Sequence, residues 1–354
     1  MKTALASLFL AATSAAAQLP QHHDVSSLTP YTSHQKVSGV IRVYGNNYIP
    51  TLMKQWEEGF QNFQPNVTFT TNLPGTEAAM AGITTGIADI SFIGREGYRS
   101  EINGFKGRWG YLPLGIEISS GSFGTPHKTF SLEVFVNKDN PLPGLTMEQA
   151  QEVFGNNPTI KTWGDLGVTG PMATHTIHVY GYQFDTGMAG YFNRVVLHDK
   201  GTWNPSLKDF DNGHDAKGEV INAGNYILKA LADDPDGIAF ANLQYTNDKI
   251  RALGLADDHD RHHHGHADRA HHDRGDEHEH FVEATPETIW DRTYPIHRFT
   301  TLYINRKPGT AVDPKVREFV AYILSREGMQ AVADDGAYTP INESVAVAQR
   351  KKIE

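Results

Sequence analysis

Apolar positions along this chain follow two alternating rhythms. Gly39 to Tyr44 (GVIRVY) alternates apolar and polar residues, the pattern of a half-buried strand. Leu52, Trp56, Phe60 and Phe63 then recur at helical spacing behind Pro50, a residue suited to a first helical turn, and Pro65 ends the run. Val67 to Thr71 (VTFTT) reads as a second strand. Gly75-Thr76 opens another helix with Ala79, Met80 and Ile83 on one face, and Ile87 to Ile93 reads as a buried strand ending on Gly94-Arg95-Glu96. Gly104 to Gly124 is rich in glycine and serine and is assigned no helix.

The same alternation continues downstream. Leu132 to Val136 predicts a strand and Leu145 to Phe154 a helix capped by Thr146. Ile177 to Tyr180 predicts a strand, followed by the loop Gly181 to Gly187 and a helix carrying Tyr191, Phe192, Val195 and Val196. Ile221 to Ala232 is expected as helix, and Gly237 to Ala241, Ile250 to Leu255 and Arg298 to Ile304 as strands, with a helix over Val316 to Leu324. Strands alternating with helices predict an α/β fold with a largely parallel sheet.

Composition narrows the chemistry. No cysteine is present, which excludes disulfides, thiolate metal sites and thiol catalysis. The net charge of −10 and the lack of a basic stripe argue against nucleic acid as a partner. Residues 1–17 read as a secretory signal: Lys2, an apolar run from Leu5 to Ala12, and Ala15-Ala16-Ala17 as the cleavage site before Gln18. That run is too short for a retained membrane span, so no membrane insertion and a periplasmic or otherwise exported monomer are expected. Residues 18–38 are polar and read as a linker. Residues 257–280 are crowded with histidine and acids, have no apolar periodicity, and read as a disordered insertion.

The candidate chemistry is anion binding. Helix starts present free N–H groups and a positive dipole end. The pattern strand, loop, helix start recurs at Asn46 and Asn47, at Gly75 and Thr76, and at Asp185, Thr186 and Gly187. Arg95, at the end of a strand, adds a forked cationic donor. The alternative for Arg95 is a structural pair with Glu96 or another carboxylate. A second candidate is divalent-metal (Zn, Ni or Cu) binding through His262, His263, His264, His266, His271, His272, His278 and His280. Without fixed geometry such a tract binds weakly, and a solvated loop is the competing reading. No G-x-S-x-G, H-E-x-x-H or P-loop pattern occurs, so no enzyme activity is expected and no cofactor is required.

An ordered set of short landmarks carries a family resemblance: Tyr44-Gly45-Asn46, Gly75-Thr76, Ala88-Asp89-Ile90 with Arg95, Val153-Phe154-Gly155, Trp163-Gly164-Asp165-Leu166, Gly237-Ile238-Ala239-Phe240, Tyr294-Pro295-Ile296 with Arg298, Glu327-Gly328 and Tyr338-Thr339-Pro340-Ile341. In these the chain resembles the phosphate-binding components of ABC importers, which are type II periplasmic solute-binding proteins. The resemblance implies a two-lobed α/β fold, each lobe a mostly parallel sheet flanked by helices, joined by a two-strand hinge. Residues 39–125 and 297–345 would form one lobe and 126–296 the other. It also implies capture of phosphate or a related oxyanion in the interlobe cleft, and an ABC-type permease as partner. The chain departs from the family pattern at the third helix start. An arginine is missing near Gly181, and Asp185 stands before Thr186-Gly187, where it would either accept a proton-bearing phosphate oxygen or repel anions.

Overall fold

The computed structural model describes residues 24–123, 129–156, 158–199, 202–256 and 280–354. In chain order the first strands are β1 (Gly39–Gly45), β2 (Val67–Asn72), β3 (Ile90–Ile93), β4 (Leu114–Ser120), β5 (Glu133–Asn137), β6 (Gly144–Thr146) and β7 (His178–Tyr182). There follow β8 (Lys208–Phe210), β9 (Gly213–His214), β10 (Val220–Ile221), β11 (Gly237–Ala241), β12 (Ile250–Ala252), β13 (Gly254–Ala256) and β14 (Phe299–Ile304). The helices that position the site are α1 (Pro50–Phe63), α2 (Thr76–Thr85), α3 (Arg99–Trp109), α4 (Met147–Phe154) and α5 (Gly187–Val195).

Two five-stranded sheets organise the chain, in the orders β2-β1-β3-β14-β4 and β12-β5-β11-β7-β8. Each is mixed. β1 runs parallel to β2 and β3, whereas β14 is antiparallel to β3 and β4. In the second sheet β11–β7 and β7–β8 are parallel, while β5 is antiparallel to β11 and β12. The antiparallel pairs involve β14 and β5, the strands that follow the passages between the sheets. β11 (GIAFA) is buried throughout, as a central strand covered on both faces must be.

Each sheet has its own core. Trp56 and Phe60 of α1 pack with Phe92, Phe319 and Tyr322 around the first sheet, and Trp56 Nε1 donates to Gly328 O at 2.8 Å. Phe154, Phe192 and Phe240 form the centre of the second, the last two stacked with centroids 4.0 Å apart. α1 starts at Pro50 as the pattern predicted. Thr146 caps α4 by accepting from Gln149 N at 3.1 Å.

Three expectations change. The strand expected from Ile87 begins at Ile90, because Gly86 turns the chain at φ 79° and Asp89 is held by Arg42 at 2.7 Å. α3 was not expected: Gly104 and Gly107 each weaken a helix by roughly 1 kcal/mol against alanine. Packing overrides that weakness, since Phe105 is buried against Met80 and Ile83 of α2. Third, the segment read as a linker is docked over residues 24–38. Val25, Leu28 and Tyr31 are buried in the first core, and the Tyr31 ring meets Phe60, Phe63 and Tyr322 edge-on or nearly so. Polar residues around three spaced apolar ones hid this contact from any periodicity.

The chain passes between the sheets after β4 and before β14, and the two passages lie side by side. Gly121 N donates to Arg298 O at 2.6 Å, and the Ser119 and Thr300 hydroxyls meet at 2.6 Å. Asn242 Nδ2 donates to Ser131 O at 2.8 Å. At the foot of the first passage stands Glu133, fully buried, accepting from Ser131 Oγ at 2.5 Å and from Leu243 N at 3.1 Å. Burial pushes its carboxyl up to about 8, against the hydrogen bonds, which lower it.

Two measurements follow. Glu318 is wholly buried and accepts from Tyr31 Oη at 2.7 Å, so Tyr31→Phe removes a donor from a buried carboxylate. The expected loss in denaturant unfolding is about 1–3 kcal/mol. Glu133 keeps its proton in the folded state where the unfolded chain has already lost it. Its contribution is therefore complete below the ordinary carboxyl range and is lost as pH rises through about 8. The unfolding free energy of Glu133→Gln, read by chemical denaturation at each pH, is expected to gain on wild type across that window by no more than about 1.4 kcal/mol per pH unit.

Candidate ligand-binding cleft

β1 ends at Gly45, where φ is 140° and an added Cβ would lie 2.0 Å from Phe92 O, so only glycine lets β1 and β3 lie this close. That contact brings the first and second turns together. Asn46 N donates to Phe92 O at 3.0 Å and Gly75 N to Gly45 O at 3.0 Å. Asn46 is 2% exposed and its Oδ1 accepts from Tyr48 N at 2.9 Å. A Cβ on Gly94 would sit 2.7 Å from Asn46 Nδ2 and 2.8 Å from Thr76 Oγ1. Asn46, Thr76 and the loop after β3 therefore converge at the start of α2. Thr129 Oγ1 donates to Gly94 O, and the buried Tyr338 phenol is hydrogen-bonded with Thr129 and Asn46.

Arg95 is 7% exposed at the side chain and lies against this cluster. Its partner is not Glu96. Nε and Nη2 donate to Glu77 at 3.3 and 2.7 Å, and Nη1 and Nη2 to Glu101 at 2.8 and 3.0 Å. Nη1 also donates to Glu96 O at 3.1 Å, and the guanidinium lies 3.6 Å from the Tyr98 ring centroid. Burial alone would ease its deprotonation, but the Glu101 and Glu77 carboxylates outweigh burial and raise its pKa further. Glu96 turns the other way and takes Arg298 from the second passage, through Nε at 3.2 Å and Nη2 at 2.7 Å, with both side chains buried.

From the second lobe, α5 points its start at this loop. A Cβ on Gly187 would lie 3.4 Å from Arg95 Cδ and 3.6 Å from Tyr98 Oη. Thr186 caps the helix, accepting from Ala189 N at 3.2 Å, and its own proton goes to Gln183 O at 2.8 Å. That hydroxyl is thus not free to donate elsewhere in this arrangement. Asp185 and Asn47 are exposed. Further contacts join the lobes: Arg194 Nη2 donates to Gly97 O at 3.3 Å, and Tyr191 Oη donates to His297 O. Between them lies a cleft of about 250 Å³ whose lining includes the cations Arg99 and Arg194, the acids Glu96 and Asp199, and Tyr98 and Gly187, a size for a small ligand.

Of the residues singled out by sequence, Asn46, Gly75, Thr76, Arg95 and Gly187 come together. Asn47 is exposed but stays beside the cluster, its Oδ1 3.8 Å from where a Cβ on Gly75 would sit, and Asp185 is exposed. Sequence reasoning missed Glu77, Tyr98, Glu101 and Thr129, and had Arg298 and Tyr338 only as family landmarks with no place in the site. The one local signal was Glu101, three residues after Tyr98, whose Oε2 accepts from Tyr98 N at 2.8 Å at the start of α3. His262, His263, His264, His266, His271, His272 and His278 lie outside the described residues; His280 is exposed. Among the described residues no group of three potential metal-ligating side chains occurs, and no helix is long and apolar enough to cross a membrane.

Two mixed α/β sheets, two passages between them and helix starts facing each other define a two-lobed binding protein of the type II periplasmic class. The chain belongs to the PBP superfamily, whose domain model matches residues 30–327. This is a class of substrate-binding proteins rather than enzymes. The chain is 27% identical over 333 residues to phosphate-binding protein PstS of Pseudomonas aeruginosa, covering 92% of this chain and 91% of that protein. It is 23% identical over 321 residues to protein SphX of Synechococcus elongatus, covering 89% and 82%. The crystal structure of PstS from Borrelia burgdorferi superposes with a TM-score of 0.51 at 14% identity, over 87% of this chain and 99% of that one.

The buried Glu96–Arg298 pair ties the loop after β3 to the second passage. Arg298→Met leaves Glu96 buried without its cation, and a loss of about 3–5 kcal/mol in unfolding free energy is expected. Chemical denaturation checks it.

Proposed function

We propose that this protein captures a small tetrahedral oxyanion, phosphate foremost, between its two lobes, and delivers it to an ABC-type importer or reports its presence. The observation that carries the reading is the approach of the α5 start to Arg95 at the start of α2. It brings the α5 start to a guanidinium held beside the α2 start, next to the small cleft that the α3 and α5 starts line. The name of the Pseudomonas relative supports phosphate as the ligand. In this reading the N–H groups at Thr76 and Gly187, the Asn46 and Asn47 amides and Arg95 donate to the anion, while Gly75, whose N–H goes to Gly45 O, shapes the turn. Thr186 holds the third helix start in shape, and the exposed Asp185 before it accepts from a protonated phosphate oxygen. Export rests on the amino-terminal signal pattern of residues 1–17.

Donors of this kind suffice. Micromolar binding needs about 8 kcal/mol, and each hydrogen bond to a charged group supplies about 1.5–3 kcal/mol. Calorimetric titration of the mature protein with phosphate, sulfate, arsenate and molybdate tests the proposal. Phosphate is expected to bind at micromolar concentration or tighter, Arg95→Ala to weaken it at least about tenfold, and Asp185→Asn to narrow the preference over sulfate. Absence of heat with every oxyanion sinks the reading.

A further inference from the structure

Arg95 carries five N–H groups, and five hydrogen bonds already occupy them. An anion can reach this guanidinium only by replacing an existing acceptor. The three acceptors differ in how firmly they are held. Glu96 O is backbone within a buried residue. Glu101 is 16% exposed at the side chain and also accepts from Tyr98 N at 2.8 Å, so it is fixed by its own loop. Glu77 is 78% exposed, and its hydrogen bonds among the described residues run to Arg95 alone.

The geometry adds a second distinction. Glu101 takes the Nη1–Nη2 edge of the guanidinium, whereas Glu77 takes the Nε–Nη2 edge. Either edge is a fork that suits a carboxylate or a phosphate equally. Glu77 is also in the first turn of α2, where the helix dipole favours negative charge. Its carboxylate therefore stands where two oxygens of a bound oxyanion would stand, satisfied by the same cation and the same helix end.

We propose that Glu77 is a built-in competitor for the anion, closing the Nε–Nη2 edge of Arg95 until ligand displaces it. The proposal rests on the oxyanion reading above. Glu101 is the permanent anchor that keeps the guanidinium aimed while Glu77 swings into solvent. Two consequences follow: ligand affinity is held below what the donor set would give, and the start of α2 does not present an unpaired cation when the cleft is empty.

The test is titration of the full mature chain with inorganic phosphate at fixed pH and ionic strength, for wild type, Glu77→Gln, Glu77→Ala and Asp139→Asn. Asp139 is an exposed acid beyond β5 in the other lobe and controls for net charge. Both Glu77 variants are expected to bind phosphate about two- to fivefold tighter, the range an exposed ion pair allows, with Asp139→Asn unchanged. Wild-type binding with unchanged or weaker binding in the Glu77 variants overturns the competitor role and leaves the oxyanion reading standing. An equal gain in Asp139→Asn also overturns it, by assigning the effect to overall charge. No phosphate binding by any of the four proteins overturns both.

Discussion

A charge taken out of water must be matched, and in this protein that requirement fixes the loop between β3 and α3. Arg95 and Arg298 are both almost wholly buried, and carboxylates meet both within hydrogen-bonding distance. Glu96 takes Arg298, a residue about two hundred positions away, and so binds the loop to the second passage between lobes. Glu101 and Glu77 take Arg95 and hold it beside the start of α2. Removal of Arg298 would leave Glu96 as an unmatched buried charge, whereas Arg95 keeps Glu101 when the exposed Glu77 is absent. The loop therefore has one low-energy arrangement, and Asn46, Thr76 and Gly187 are arrayed around it.

The same loop links architecture to the proposed ligand. Gly45 and Gly94 lack side chains at points where a Cβ would strike Phe92 O or the Asn46 amide and Thr76 hydroxyl. These close approaches compress the first two turns against Arg95. α5 arrives from the other lobe, its first turn fixed by Thr186. Because the net charge of the whole chain is −10, the proposed capture of an anion here would rest on local donors acting against the field of the protein. Glu77 adds to that field at the site itself.

How much of this was legible depended on whether the signal was local. Pro50 and the spacing of Leu52, Trp56 and Phe60 located α1, and Thr146 located α4, because caps and periodicity are properties of a few adjacent residues. Arg95 and the helix starts at Thr76 and Gly187 were visible for the same reason. The α3 helix was not, since its two glycines oppose a packing gain from Phe105 that no local pattern reports. Nor was the docking of Val25, Leu28 and Tyr31, whose partners Glu318 and Tyr322 lie about three hundred residues on.

The sequence by itself thus determined the alternation of strands and helices and a set of anion-suited turns, and the two-lobed class came from the resemblance its landmarks carry. Periodicity, caps and glycine positions are short-range, and they survive without coordinates. Only the tertiary structure decided which carboxylate each arginine received. Glu96 is next to Arg95 in sequence yet serves Arg298, while Glu77 and Glu101 reach Arg95 from two different helices. Pairing of buried charges is settled by distance and desolvation in the folded chain, and neither quantity is written in residue order.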